Sequence, residues 1–174
     1  MIPPRPRPPA GLVPPMADDT LDLADFIRAQ NLEAELIAPG VPMPTVDAAA
    51  AAMGVAPGQI FKSILFQAAD GRCVLVIACG TGRVSLDRVT ALTGLERLRL
   101  AKPDLVLAAT GYPAGGTPPV GHRRAFPVIM DARVAAQEWG YAGGGRPELL
   151  MKIRSADIIR LAEATVADVS SNSQ

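Results

Sequence analysis

Ile60-Phe61-Lys62-Ser63-Ile64-Leu65-Phe66 and Arg72-Cys73-Val74-Leu75-Val76-Ile77-Ala78-Cys79, joined across Asp70-Gly71, decide the fold. Both runs are apolar and β-branched, and Asp-Gly between such runs is a strong hairpin signal. Nearly every position in them is apolar, which predicts central strands covered on both faces. Lys62 is the only charge in its seven-residue run.

Working outward toward the C-terminus, Ser85 is expected to cap a helix that runs through Thr93 and stops at Gly94. Residues 98–100 read as a short strand and 103–109 as a helix with proline in its first turn. Residues 111–125 follow neither period, are full of glycine and proline, and read as a long structured loop. Beyond it come a strand (127–130), a short helix (131–137), a strand (139–142), a triple-glycine turn and a strand (149–153). Ser155 is then read as the cap of a helix to about 163, with a last strand over 165–169.

Toward the N-terminus, Asp18, Asp19 and Thr20 offer a cap for a helix to about Asn31, with Leu23, Phe26 and Ile27 as its apolar stripe. Residues 35–38 read as a strand, Thr45 as the cap of a helix over 46–53, Gly54 as its stop, and Ala56-Pro57-Gly58 as a turn. Strands and short helices thus alternate irregularly, so the fold class is mixed α/β with parallel and antiparallel pairing. A chain of 174 residues fits one domain. The expected division is a disordered proline-rich tail (1–17, with seven prolines in the first 15 residues), a domain over 18–170, and a disordered end at 171–174.

Bulk composition narrows the function classes. Lys plus Arg and Asp plus Glu each total 17, so the net charge is zero and bulk attraction to nucleic acid is not expected. Residues 81–174 carry 12 basic and 9 acidic side chains, which places any phosphate-facing surface on the second half. No run approaches the roughly 18–20 apolar residues of a membrane span. The N-terminus has no continuous apolar segment of a secretory signal, so a cytoplasmic location is the default expectation. Cys73 and Cys79 in a C-x5-C spacing match no zinc or redox motif, and His122 is the only histidine. Neither a metal site nor a Ser-His-Asp triad is expected.

Lys62 has three readings: it snorkels to the sheet edge, pairs with a carboxylate such as Asp131, or faces an anion-binding cavity. The loop Gly115-Gly116-Thr117-Pro118-Pro119-Val120-Gly121-His122 can bring backbone close to a small polar ligand in one stiff shape, or can be a surface crossover. His122 is a base, a pocket wall or an exposed loop residue. Arg123, Arg124 and Arg146 are phosphate contacts or solvated side chains. Asp131 ends a strand and suits a helix cap, which is compatible with a role in the site.

In order and spacing, four segments resemble the YbaK/EbsC family, the domain also inserted in bacterial prolyl-tRNA synthetases and found as stand-alone deacylases. They are Ile60 to Phe66 with its lysine, Arg83-Val84-Ser85-Leu86-Asp87-Arg88-Val89, Thr110 to His122 with G-x-x-x-P as Gly115 to Pro119, and Pro127-Val128-Ile129-Met130-Asp131. The resemblance implies a barrel-like mixed β-sheet flanked by short helices and a trans-editing hydrolase acting without a cofactor. Its substrate would be the ester of a small mischarged amino acid (alanine, serine, threonine, 2-aminobutyrate or cysteine) on tRNA, tRNA(Pro) foremost. The partners implied are the acceptor end of aminoacyl-tRNA and prolyl-tRNA synthetase, with neither membrane nor DNA.

Carried over, Lys62, Gly115 and Pro119 would be catalytic. Ser63, Gly116, Thr117, Pro118, Gly121, His122 and Asp131 would bind substrate, and Arg123, Arg124 and Arg146 would contact RNA. A positioned water, or a reactive group of the substrate itself, would carry out the hydrolysis, with the RNA's own 2′-hydroxyl assisting. Ser63 stands where the alanyl-tRNA(Pro) deacylases tend to have Asn, and His122 where the cysteinyl-tRNA(Pro) deacylases tend to have Gln. The open alternatives are a non-catalytic tRNA- or synthetase-binding module and a small-molecule binder.

Overall fold

The computed structural model describes residues 20–171; the expected proline-rich tail and residues 172–174 lie outside them. The chain enters through helix α1 (Leu23–Ala29), capped by Asp22, whose side chain accepts from the Ala24 N–H. Asp22 takes the capping position expected of Asp18, Asp19 or Thr20. Strand β1 (Glu35–Ile37) follows, then helix α2 (Val46–Met53), with Thr45 as its cap and Gly54 as its left-handed stop. A 3-10 turn over Pro57–Gln59 leads into the hairpin β2 (Phe61–Gln67) and β3 (Cys73–Cys79).

Beyond the hairpin come α3 (Leu86–Thr93), β4 (Arg99–Leu100), α4 (Pro103–Thr110) and, after the glycine-proline loop, β5 (Val128–Asp131). The chain finishes with α5 (Ala132–Ala135), β6 (Trp139–Gly143), β7 (Leu150–Arg154), α6 (Ser155–Ala162) and β8 (Thr165–Ala167). Ser155 does not cap α6 by a side-chain bond. Its hydroxyl donates instead to the carbonyls of Val134 (3.0 Å) and Gln137 (2.5 Å), tying the end of α5 to the start of α6.

The expected mixture of pairings is present. One sheet runs β4-β2-β3-β5-β8 and the other β1-β7-β6. The hairpin and β4 pair antiparallel, whereas β3–β5 and β5–β8 pair parallel. The two sheets do not close into the barrel that the family resemblance implies. Among the described residues they meet at a single bridge, Ile60 to Tyr141. Around it they join by packing: a Cβ on Gly140 would lie 2.0 Å from the Phe61 ring, so that ring rests on bare backbone where a ladder would otherwise continue.

The reading of β3 as a strand covered on both faces holds: Val74 to Ala78 are all buried. Leu75 and Ile77 face the larger core, with Phe61, Leu65, Tyr112, Met151 and Ile158. Val74 and Val76 face a second core, with Phe66, Val89, Leu98 and Val169. Register puts Lys62 opposite Ala78 and Ile64 opposite Val76, so Lys62 belongs to the second face. Ser63, opposite Ile77, belongs to the first.

Candidate active site

Strand β4 is short, and its register with β2 covers only Phe66 and Gln67. The first half of β2 therefore has its outer edge free of a β4 partner. There the structure holds a cavity of about 220 Å³, walled by Phe61, Lys62 and Ser63 from β2 and by Gly115 and Thr117 from the loop. Thr45, Val46 and Ala49 of the α2 region, with Gly143, Leu149 and Leu150, close its other sides. Met43, Pro44 and Pro147 are shared with an outer cleft of about 600 Å³, lined also by Val41, Pro42 and Glu148. The lone ammonium of the apolar strand and the glycine-proline segment thus border a common hollow.

Lys62 donates from Nζ to the carbonyl of Gly82 at 2.7 Å, across the second face of the sheet. It does not pair with Asp131: that carboxylate accepts from the Arg133 N–H at 2.9 Å and the Val169 N–H at 3.0 Å, which caps α5 and anchors the chain's end. Burial pulls the lysine below its ordinary value, opposed in smaller measure by the Cys79 thiol. The ammonium is therefore held by a neutral dipole, which an anionic ligand can outcompete.

The loop owes its shape to backbone packing. A Cβ on Gly116 would lie 2.5 Å from the Arg146 carbonyl carbon, and one on Gly143 would lie 2.2 Å from the Thr117 carbonyl oxygen. The Gly145 N–H donates to the Gly116 carbonyl at 2.8 Å. The triple glycine, read from sequence as a turn, is thus the seat on which the loop rests. The Thr117 hydroxyl donates to the Pro113 carbonyl at 3.0 Å, and His122 bonds through Nε2 to the Pro118 carbonyl at 2.7 Å. Since a carbonyl only accepts, Nε2 carries the proton. The His122 ring also lies against Phe126, with centroids 5.2 Å apart. His122 thereby braces the loop from behind, and burial lowers its pKa despite the Pro118 carbonyl, which favours the cation.

Of the residues singled out in the sequence, Lys62, Ser63, Gly115 and Thr117 line the cavity. Gly116, Pro118 and Pro119 are buried within the loop, and Gly121, His122 and Asp131 are not in the cavity wall. Arg146 is outside the cavity wall and is ion-paired with Glu148 at 3.0 Å. Arg123 and Arg124 are exposed, and their N–H groups bond the end of α4 at Thr110 and Ala109. The positive field of Arg124 reaches Cys73, whereas that of Lys62 reaches Cys79. At about 3.3 Å per residue those two cysteines stand ~20 Å apart, so the dibasic pair lies at the opposite end of the sheet from Lys62. The sequence reading missed the apolar walls Met43, Pro44, Val46, Ala49 and Pro147, which carry no polar signal.

Two features of the cavity stand out chemically. Ser63 Oγ is buried and has no hydrogen-bond partner in the protein. Among the residues named as lining, none is a histidine, cysteine or aspartate, so the wall offers an ammonium, hydroxyls and backbone.

The fold and the cavity define the class: an open, mixed α/β domain with a hollow between a strand edge and a glycine-proline loop. A family profile for the aminoacyl-tRNA editing domain matches residues 41–161, and the chain belongs to that family. The proline–tRNA ligase of Bacillus licheniformis is 33% identical over 104 residues, covering 60% of this chain but only 18% of the ligase. EbsC of Enterococcus faecalis, named as a candidate Cys-tRNA(Pro)/Cys-tRNA(Cys) deacylase, is 19% identical over 126 residues, 72% of this chain and 77% of its own. The crystal structure of a candidate trans-editing enzyme for prolyl-tRNA synthetase superposes with a TM-score of 0.77 at 28% identity, covering 91% of this chain and 100% of that one. Membership in the YbaK/EbsC group, read first from the spacing of four segments, is thereby established. Among the described residues no helix is long and apolar enough to cross a membrane.

Proposed function

We propose that the protein hydrolyses the ester of a small amino acid wrongly attached to tRNA, with tRNA(Pro) as its foremost substrate. The observation that carries this reading is the shared cavity, in which Lys62 and the Gly115–Thr117 backbone border one space of about 220 Å³. That volume lies below the roughly 300–1,000 Å³ of pockets for drug-sized ligands, which suits an aminoacyl group with a short side chain. The outer cleft, apolar and continuous with it, suits the terminal nucleoside.

Lys62 leaves the Gly82 carbonyl to hold the phosphate or ester region at the acceptor end. The loop's backbone polar groups position the aminoacyl moiety, held in place by Gly143, Gly145 and His122. A bound water, assisted by the ribose 2′-hydroxyl, attacks the ester carbonyl; the developing oxyanion is stabilised by fixed dipoles and the ammonium, and its collapse expels the ribose oxygen, which takes up a proton as the free amino acid leaves. An activated ester needs less help than an amide, so a wall without an obvious nucleophile suffices. Discrimination by size is worth about 1–3 kcal/mol per methylene, so several small side chains should be accepted in graded order.

The test is a deacylation screen with purified protein against tRNAs carrying alanine, serine, threonine, 2-aminobutyrate, cysteine and proline. Loss of the ester from one or more of the small mischarged species, with prolyl-tRNA(Pro) spared, is the expected result. If every charged tRNA remains intact at micromolar protein, the reading is wrong.

A further inference from the structure

Arg83 and Arg133 are distant in sequence and meet around Gly82, on the second face of the sheet. Nη1 of Arg133 lies 3.8 Å from where a Cβ on Gly82 would stand, and the Gly82 carbonyl accepts from Lys62 Nζ at 2.7 Å. Arg83 follows Gly82 directly and is exposed, as is Arg133. Its backbone is pinned, the Arg83 carbonyl accepting from Ser171 N–H at 2.8 Å while Ser85 N–H donates to the Val169 carbonyl at 2.7 Å. Gly82, Arg83 and Arg133 line one small hollow, and Lys62 reaches the same glycine through its carbonyl, so three cationic residues gather at one position that carries no side chain. The Cys79 thiol, raised chiefly by burial, lies in the field of Asp131 and in the opposing fields of Arg133 and Lys62.

The nearby carboxylates form no ion pair with the group, although Asp131 keeps its charge in the wall of the same hollow, so the cations outnumber it three to one. Both oxygens of Asp131 are engaged by backbone N–H groups, and Asp168 is paired with Arg88 at 3.0 Å. Among the described residues neither Arg83, Arg133 nor Lys62 takes part in an ion pair. Like charges gathered within about one Debye length, ~8 Å at physiological salt, repel one another and invite an anion. Lys62 belongs both to this cluster and to the cavity wall. An anion bound over Gly82 therefore lies next to whatever occupies the cavity.

We propose that Arg83 and Arg133 clamp a backbone phosphate of the RNA over Gly82, beside the nucleotide that carries the aminoacyl group. The identity of the polyanion rests on the editing function proposed above; the geometry of the clamp does not. A local clamp also reconciles RNA binding with a chain of zero net charge. Such phosphate contacts position the RNA and leave its sequence unread.

Equilibrium binding tests the clamp without requiring turnover. A fluorescently labelled RNA hairpin ending in CCA is titrated with wild type, with Arg83→Ala/Arg133→Ala and with Arg123→Ala/Arg124→Ala, across a salt series. The two double variants change net charge equally. The clamp variant should bind about tenfold more weakly, and its log–log salt slope should fall by about one to two. The Arg123/Arg124 variant should shift affinity less than about twofold, since its side chains lie ~20 Å away at the other end of the strand. Arg83→Lys/Arg133→Lys should restore most of the affinity, which separates lost charge from lost fold. Equal losses in both Ala variants, no loss in the clamp variant, or no measurable binding by wild type would overturn the proposal. Wild-type protein that binds through Arg83 and Arg133 yet leaves all mischarged tRNAs intact would overturn the editing reading alone.

Discussion

At its closed end the β2–β3 hairpin turns through Ala69-Asp70-Gly71, with Gly71 at a φ of +92° and the Gly71 N–H bonded to the Ala68 carbonyl at 3.0 Å. The cation there, Arg72, is matched by Asp70 at 2.8 Å in full view of solvent. At its open end the same two strands carry Lys62, which no carboxylate matches and which burial makes costly to charge. Both ends belong to one nearly continuous apolar hairpin. They differ in what lies beyond the strand: a local turn with its own counter-ion at one end, and at the other a gap left by a short edge strand and filled by loops from distant sequence. Charge that is locally satisfied stabilises a turn, whereas charge held only by a neutral carbonyl is available to a ligand.

The sharpest way to break this contrast is to remove the unmatched cation. Lys62→Met keeps the apolar stem and should lower kcat/KM for deacylation by at least about 100-fold, the scale of losing one electrostatic stabiliser. Its melting temperature should be unchanged or raised, because a half-buried charge is removed. In wild type, activity corrected for spontaneous ester hydrolysis should decline as pH rises through a lysine value below the ordinary 10.5. A Lys62→Met variant that turns over normally would make the open end structural only.

Next in size is the seat of the loop. Gly143→Ala places a methyl group 2.2 Å from the Thr117 carbonyl oxygen, and the collision is with backbone that cannot rotate away. Urea unfolding should show a loss of about 3 kcal/mol, the upper part of the usual range for overpacking. Turnover should fall as well, since Gly115 and Thr117 would shift. Full stability in the Gly143→Ala variant would mean that the loop is not held there.

A smaller effect separates brace from catalyst at His122. Burial lowers its pKa below the ordinary 6.5, so between those two values the unfolded chain binds the proton and the native state does not. Stability contributed by neutral His122 is complete above pH 6.5 and declines as pH falls from there toward the lowered value. His122→Phe should flatten that portion of the stability–pH curve, measured by urea unfolding between pH 5 and 7.5, with a larger change in stability than in kcat. A kcat that collapses while stability holds would make His122 a participant in the chemistry.

At the closed end, Asp70→Ala should leave deacylation unchanged within error. The Asp70–Arg72 pair is exposed and solvent-screened, so a change in kcat there would show that the two ends communicate.

Much of this was legible in the chain because it is local. The Asp70-Gly71 signal, Thr45 with Gly54 bounding α2 and Ser85 with Gly94 bounding α3 each depend on neighbours a few residues away. Local reasoning fails where a distant partner decides the outcome. Ser155 looks like a cap and instead bonds α5 carbonyls, and Gly143 to Gly145 look like a turn and instead seat a loop from well before them in the chain. Arg123-Arg124 drew attention because adjacency is visible in a string, whereas Arg83 and Arg133 become neighbours only through the parallel β3–β5 pairing.

By itself the sequence determined the hairpin, the mixed class of the sheet, the isolated lysine and the stiff glycine-proline segment, because β-branched apolar runs, turn chemistry and proline's fixed φ act over a few residues. Only the tertiary structure decided that β4 stops at Phe66, so that Lys62 and Gly115 border one hollow, and that the sheets stay open with Phe61 lying on Gly140. Those outcomes depend on which backbones can approach within van der Waals contact across the whole fold, and no window of sequence contains both partners.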